Sequence, residues 1–415
     1  MSVLTQPLTA SRARHIRLHL ALIPLYVWVL FTWTGYARSV ATPGALDEAG
    51  LIKGHDFVHF YVLGQIALEH QPGELYDYGA QAKRTDRLAG YEDRYLPAYG
   101  PQVALLFAPL AKLPYGRAWA VWACLSALVY GLSWYAVWRS EPVLREYRWP
   151  TFVAALGYPP FAMLIGFGHI SSLAAAAFAG TYLALRAGRP WLAGVAIGCL
   201  FLKPPLAVLL PVVFVYARAW RVIAGAIVTV VVQLALAAAY FGGGVLQAYW
   251  RVTIGFGRVA ADLEPQPHQM QSLRSLFSVL MPWPTVALVC YLVTASVAAF
   301  VAARCWRSAA PLPLRYAVLL VAAILVDPHV NVYDLVVLVP MFLIVAGYAL
   351  RESAGWRLWA LLGFCFYSPI FAHPVSAIFG VQIVVVGLAV LGGTLARMAY
   401  TASHPSKISR QFSSK

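Results

Sequence analysis

The chain is 415 residues long, 61% hydrophobic and only 11% charged, whereas a soluble domain is about a quarter charged. That excludes an ordinary soluble fold and points to a polytopic membrane protein. The net charge of +15 lies between apolar runs, so it reads as membrane topology and argues against a nucleic-acid partner.

Twelve apolar spans are predicted, near 17–37, 117–138, 151–165, 169–185, 191–202, 205–217, 222–241, 284–303, 314–326, 335–350, 357–371 and 375–396. The first follows "RARHIR" and precedes "SVA" at 39–41, like a signal peptide. Its run of about 17 residues is longer than a usual h-region, so an uncleaved helix is expected. Residues 38–112 form a first extracytoplasmic loop that opens with "GHDFVHFYVLG" at 54–64. Its end, "PQVALLFAPLAK" at 101–112, rises about 18 Å as a helix against a hydrocarbon core of about 30 Å. It is expected to lie along the interface. The span at 151–165 is short, carries "YPP" at 158–160 and emerges at "GFGHISS".

The stretch 191–217 could be one Pro-kinked crossing or a short hairpin turning at Lys203. A single crossing would place Arg218, Arg221, Arg304, Arg307, Arg315, Arg351 and Arg357 outside. It would bring in only Arg251, Arg258 and Arg274 in exchange. Charge therefore favours the hairpin. Beyond it come a second extracytoplasmic loop at 242–283, a short span emerging at "DPHVNVYD", and a basic cytoplasmic tail at 397–415. With both termini inside, cytoplasmic segments hold 19 of the 31 basic residues but three of the 16 acidic ones, leaving 12 and 13 outside. The expected location is the plasma (inner) membrane. No internal repeat, low-complexity tract or sizeable soluble domain is evident.

Short spans with polar outer ends predict a water-filled cavity entering from outside. Ionisable groups at membrane depth are tolerated only where they face water or protein. Asp56, His169, Lys203, Asp327, His329 and Asp334 are expected to line it. Asp56 suits a general base. Lys203, stiffened by Pro204 and Pro205, suits a phosphate anchor. His329 suits a hydrogen bond to phosphate or to the base, and Arg274 in "QMQSLRSLF" suits a phosphate grip or a snorkelling role. On a helical reading His59 and Phe60 share a face with Asp56, while Phe57, Phe60 and Tyr61 pack towards the membrane. His59 and Tyr61 are assigned to the substrate pocket. The competing readings are a solvated loop acid for Asp56, a snorkelling Lys203 and a capped turn at "DPHVNVYD". Glu92 and Asp93 read as solvated surface. Five cysteines (124, 199, 290, 305 and 365) lie in or beside apolar runs without a CxxC, and read as small core residues. No DxD occurs, so neither a metal nor a cofactor is expected.

"GHDFVHFYVLGQIALEHQPGELYDY" resembles the opening signature of glycosyltransferase family 87, polyprenyl-phosphate-sugar-dependent enzymes of GT-C architecture. "YGPQVALLFAPLAKLPYGRAWAVW", "YPPFAMLIGFGHISSL", "LAGVAIGCLFLKPPLAVLLPVVFVYARAWR" and "DPHVNVYDLVVLVP" resemble its later blocks in order. The resemblance implies an all-α, GT-C-like fold of about 12 transmembrane helices with an extracytoplasmic active site. It implies a polyprenyl-phosphate-sugar donor, mannose in many relatives, used as substrate and transferred to a lipid or glycan acceptor. It implies Asp56 as catalytic base, with Lys203 and His329 near the donor phosphate. The chain departs from the family where many relatives carry "GQ" and a small or amide residue; here "GFGHISS" offers His169 or Ser171. Two other classes stay open, a transporter or lipid flippase and a GT-C-like glycan polymerase or ligase. Transporters often show two related halves, and none is visible here.

Overall fold

The computed structural model describes residues 19–20, 22–90, 95, 99–263 and 266–404, and the side chains of 256–263 fall outside that description. Arg12, Arg14, Arg17, the pair Glu92 and Asp93, the Arg258 side chain and tail residues 405–415 therefore lie outside the described residues. Among the described residues every regular element is helical, apart from one isolated bridge between Leu46 and Ile52.

The helices in chain order are α1 (Ile23–Ser39), α2 (Phe57–Leu68), α3 (Tyr78–Ala89), α4 (Pro101–Ala111), α5 (Tyr115–Ser140), α6 (Arg148–Gly157) and α7 (Pro159–Phe167). They continue with α8 (Ser171–Arg186), α9 (Pro190–Gly198), α10 (Leu209–Tyr216), α11 (Trp220–Phe241), α12 (Gly244–Leu263) and α13 (Leu273–Leu280). The last six are α14 (Pro284–Arg307), α15 (Leu312–Val326), α16 (Val339–Arg351), α17 (Trp356–Tyr367), α18 (Ala372–Phe379) and α19 (Ile383–Ser403). Among the described residues, six stretches are long and apolar enough to cross a membrane. The pair Pro142–Gly157 and Pro159–Phe167, bent by 44°, makes a seventh if it is one span. This is a multi-pass membrane protein. Five apolar helices are shorter: Phe57–Leu68, Pro101–Ala111, Pro190–Leu202, Pro204–Tyr216 and Leu312–Val326.

Prolines set the breaks. Tyr158 precedes Pro159 and Pro160 and is extended, with ψ 114°, because the ring of a following proline disfavours helical backbone. Lys203 precedes Pro204 and likewise leaves the helical region, at φ −140° and ψ 77°.

Long-range contacts give relative directions. Trp28 donates to the Gly157 carbonyl and Tyr36 to that of Ile165, so α1 runs parallel to the α6–α7 pair. Ser126 meets Ser172, and Glu141 meets Tyr182, so α5 and α8 are parallel. Gly194 sits against Val222 and Gly198 against Ala226, so α9 and α11 are parallel as well. The approach at Gly194 admits only glycine: a Cβ there would lie 2.1 Å from the Val222 carbonyl oxygen.

The main core centres on α15, buried along nearly its whole length, with α8 and α16 beside it. α11 and α14 turn Ile227, Val231, Leu236, Val289, Val293 and Phe300 outwards, as hydrocarbon-facing helices do. A second, smaller core gathers α2, α4 and the start of α5 around Phe57, Phe60, Phe107 and Trp122. Phe57, Phe60 and Tyr61, expected to pack towards the membrane, are instead buried in this core. The cause is close helix pairing: Gly64 lets α2 approach the α4 backbone, where a Cβ would meet the Phe107 carbonyl oxygen at 2.6 Å.

Candidate active site

Two tight turns bring the "GHD" and "GFGH" segments together. Gly54 and Gly168 both have φ +67°, and a Cβ on Gly168 would lie 2.7 Å from Phe57 Cβ. Only glycine adopts that conformation at low cost while allowing so close an approach. The Asp56 amide donates to the Phe167 carbonyl at 2.9 Å, Trp122 Nε1 donates to the Gly168 carbonyl at 2.8 Å, and the Tyr115 hydroxyl donates to the Lys53 carbonyl at 2.6 Å. Residues 54–56 are thereby fixed on the end of α7.

Asp56 occupies the N-cap of α2 yet makes no side-chain cap hydrogen bond. Asp77, at the N-cap of α3, does cap, accepting from the Ala80 amide at 3.1 Å. Two aspartates in equivalent positions therefore differ: one satisfies its helix, and the other leaves its carboxylate aimed away from it. That carboxylate keeps 19% of its exposure and lies 3.9 Å from His55 Nδ1.

Behind it lies a sealed polar group. Lys203 Nζ and Ser171 Oγ both donate to Asp334 Oδ1, and the Asn331 amide donates to Oδ2 at 2.9 Å. The Ser171 proton is committed to the carboxylate, so Ser171 Oγ accepts from His169 Nδ1, 2.8 Å away. In the neutral imidazole, Nε2 is then the acceptor for the Tyr99 hydroxyl at 2.8 Å. The Tyr333 ring stacks on His169 with centroids 4.2 Å apart, and Lys203 Nζ lies 5.2 Å from its centre.

The structure brings Lys203 and Asp334 into direct contact with His169 4.0 Å from Asp334, and sets Asp56 near them through its amide bond to Phe167. The open cavity expected around them is, at Lys203 and Asp334, a packed core: their side chains are 5% and 0% exposed, because each neutralises the other. Asp327 is also fully buried. Its Oδ1 accepts from the His329 amide at 2.7 Å, and its Oδ2 has no partner among the described residues. His329 lies within electrostatic reach of His169. His59 is buried between the Tyr95 and Tyr99 rings, at 5.1 and 5.6 Å. Its Nε2 has no hydrogen-bond partner among the described residues, and burial pushes its pKa down to about 3.

Two expected site residues stand apart. Tyr61 donates to the Leu113 carbonyl at 2.8 Å and packs on Phe57 and Tyr115, so it belongs to the smaller apolar core. Arg274 lines a separate cavity of about 490 Å³ with Ser278, Met281 and Pro284, within electrostatic reach of Tyr291, as Asp327 is. Among the described residues no group of three or more His, Cys, Asp or Glu is arranged to hold a metal ion.

A family model, glycosyltransferase family 87, matches residues 97–328. The chain belongs to glycosyltransferase family 87. No curated protein matches it, and no solved structure does. The stretch that matches the family 87 model contains Tyr99, His169, Ser171, Lys203, Arg274 and Asp327; Asp56 lies before it, and His329, Asn331, Tyr333 and Asp334 lie after it. Tyr99, Asn331 and Tyr333 escaped the sequence reading. Each sits inside or beside a quoted block, but tyrosines are abundant enough here to pass for packing or interfacial residues.

Proposed function

We propose that this family 87 glycosyltransferase moves a single sugar, mannose, from a polyprenyl-phosphate donor to a lipid or glycan acceptor on the extracytoplasmic face. The observation that carries the reading is an uncapped, part-exposed Asp56 tied by its amide to Phe167, two residues before the His169 that lies 4.0 Å from the Lys203 partner Asp334. In the transfer step Asp56 takes the proton from the acceptor hydroxyl as its oxygen attacks the anomeric carbon. The bond from that carbon to the phosphate oxygen breaks, and polyprenyl phosphate leaves. Its charge is taken up by Lys203, with His329 as a hydrogen-bond partner; neither metal nor cofactor takes part. Lys203 must then share itself between Asp334 and the phosphate.

The topology that goes with this reading has twelve crossings, a hairpin turning at Lys203 and both termini in the cytoplasm of a plasma-membrane protein. The parallel run of α9 and α11 supports the hairpin, since α10 must then return between them. Arg186 and Arg351 share the opposite end from Asp56 through Glu141, which supports an outward-facing site by the positive-inside rule.

The test is a transfer assay on the purified protein in nanodiscs, with polyprenyl-phosphate-mannose as donor and a lipid extract of the source cell's membranes as acceptor. The expected outcome is one product larger by a single hexose. A polymer or transferred oligosaccharide would favour a polymerase or ligase, and no covalent product would favour a transporter. Cysteine labelling with an impermeant reagent at position 90, but not at 145, is the matching check on topology.

A further inference from the structure

The file Tyr99–His169–Ser171 ends on the carboxylate that holds Lys203, and the transfer step above gives it no task. Lys203 Nζ and Ser171 Oγ donate to the same oxygen, Asp334 Oδ1, while the Asn331 amide donates to Oδ2 at 2.9 Å. A lysine and a serine are therefore alternative donors to one acceptor. The serine proton has a fixed direction. An ionised carboxylate only accepts, so Ser171 donates to it, and the neighbouring His169 Nδ1, 2.8 Å from Oγ, has to be the donor there. That tautomer leaves Nε2 to accept from the Tyr99 hydroxyl at 2.8 Å. Each bond in such a file polarises the next. Ser171 and Asp334 are fully buried and His169 nearly so, so bulk water does not stand in for any of these donors.

We propose that Ser171 is a positioning residue for Lys203: by holding Asp334 Oδ1 it releases the ammonium towards the donor phosphate, and His169 and Tyr99 keep its proton aimed for that task. The inference rests on the reading of Lys203 as the phosphate anchor. A buried carboxylate that loses its partner is strongly destabilising, so an Oδ1 served by the ammonium without the serine would hold that ammonium back from a second anion. With Ser171 and the Asn331 amide in place, each oxygen of Asp334 keeps a neutral donor while Lys203 turns to the phosphate. No proton changes hands in the exchange. Ser171 therefore acts on donor binding, whereas Asp56 acts on turnover.

The experiment measures polyprenyl phosphate released from polyprenyl-phosphate-mannose by the full-length protein in nanodiscs, with the same membrane lipid extract as acceptor. Ser171→Ala is expected to raise the donor KM about 10-fold, the worth of one hydrogen bond to a charged group, with kcat near wild type. Ser171→Thr keeps the hydroxyl and is expected to recover most of the donor affinity. His169→Ala leaves the hydroxyl in place but unaimed. It is expected to raise the donor KM less, and to add nothing in the double variant with Ser171→Ala, since both act through one bond. A serine that only fastens α8 to residues 327–334 would give another split: a lowered melting temperature in Ser171→Ala at wild-type donor KM, which overturns the proposal. Should Ser171→Ala not fold, His169→Ala carries the test, and a wild-type donor KM there overturns the proposal equally. Lys203→Ala is assayed alongside. A wild-type donor KM in that variant removes the phosphate anchor and this inference together. A raised donor KM in Lys203→Ala, combined with a wild-type one in Ser171→Ala, leaves the anchor in place and overturns the role of Ser171 alone.

Discussion

Glu141 and Asp334 are two carboxylates with fully buried side chains at opposite ends of the bundle, and their partners differ in kind. Glu141 accepts from Arg186 and Arg351 at 2.5 Å each and from Tyr182 at 2.9 Å. Both arginines keep more than a third of their exposure, 39% and 37%. Asp334 has one cation, Lys203, whose side chain is 5% exposed; its other partners, Ser171 and the Asn331 amide, are neutral. At the arginine end water screens the surplus positive charge, and the cluster serves to fasten the ends of α5, α8 and α16. At the lysine end the cation has little water and a single anion. Its charge is met by Asp334 instead of by water, so on the proposed reading a donor phosphate has to share the ammonium with that carboxylate.

The contrast breaks most visibly at Asp56. Asp56→Asn keeps shape and hydrogen-bonding capacity but cannot take the proton, so transfer should fall at least about 100-fold, while the melting temperature stays near wild type. Near-normal transfer with the true donor and acceptor would leave the Asp56 end a structural corner, like the Glu141 end.

Lys203→Ala comes next. Donor use should weaken by about 1.5–3 kcal/mol, the worth of a charge-assisted hydrogen bond, and Lys203→Arg should recover only part, since a guanidinium fork is not a point charge. Stability should fall too, because Asp334 is left buried without its cation. If only stability falls and the donor KM holds, Lys203 is a fastener of the Glu141 kind.

Acid separates the two ends in another way. His59, in the helix read as part of the first outer loop, is held neutral by burial with its pKa lowered from 6.5 to about 3. Its contribution is complete above pH 6.5 and is lost as pH falls from 6.5 towards 3. At pH 5 the loss is about 2 kcal/mol. The melting temperature of wild type should drop between pH 7 and 5, and His59→Phe, which keeps the ring between Tyr95 and Tyr99, should flatten that drop. An unchanged slope in the variant would show that the acid sensitivity lies elsewhere.

The smallest effect belongs to the arginine end. Glu141→Gln gives up bonds to guanidiniums that water already screens, so the cost should be about 1 kcal/mol of stability. Turnover per folded molecule should not change. A rate loss approaching that of Asp56→Asn would couple the two ends and end the distinction between them.

Several members of this polar cluster were marked in the sequence. Asp56, His169, Lys203 and Asp334 were singled out because each is an ionisable or hydrogen-bonding residue at the end of a short apolar run, and Lys203 and Asp334 touch directly with His169 4.0 Å from Asp334. Asp327 and His329 join the same loop through a backbone bond. Tyr61 was misassigned because a tyrosine beside a catalytic motif looks the same in sequence whether its hydroxyl faces a substrate or a carbonyl. Glu141 passed for an ordinary cytoplasmic acid, since nothing local marks a carboxylate that two distant arginines will enclose.

By itself, the sequence determined what depends on neighbours in the chain. Apolar runs gave the membrane helices, Pro159, Pro160, Pro204 and Pro205 gave the breaks, and glycines at 54 and 168 permitted the two tight turns. Tertiary structure alone decided which polar groups became partners. Lys203 and Asp334 are 131 residues apart, and Ser171 and Asp334 are 163 apart. A hydrogen bond requires both distance and direction, and across such separations these are fixed only when α7, α8, the turn at Lys203 and residues 327–334 meet at one end of the bundle.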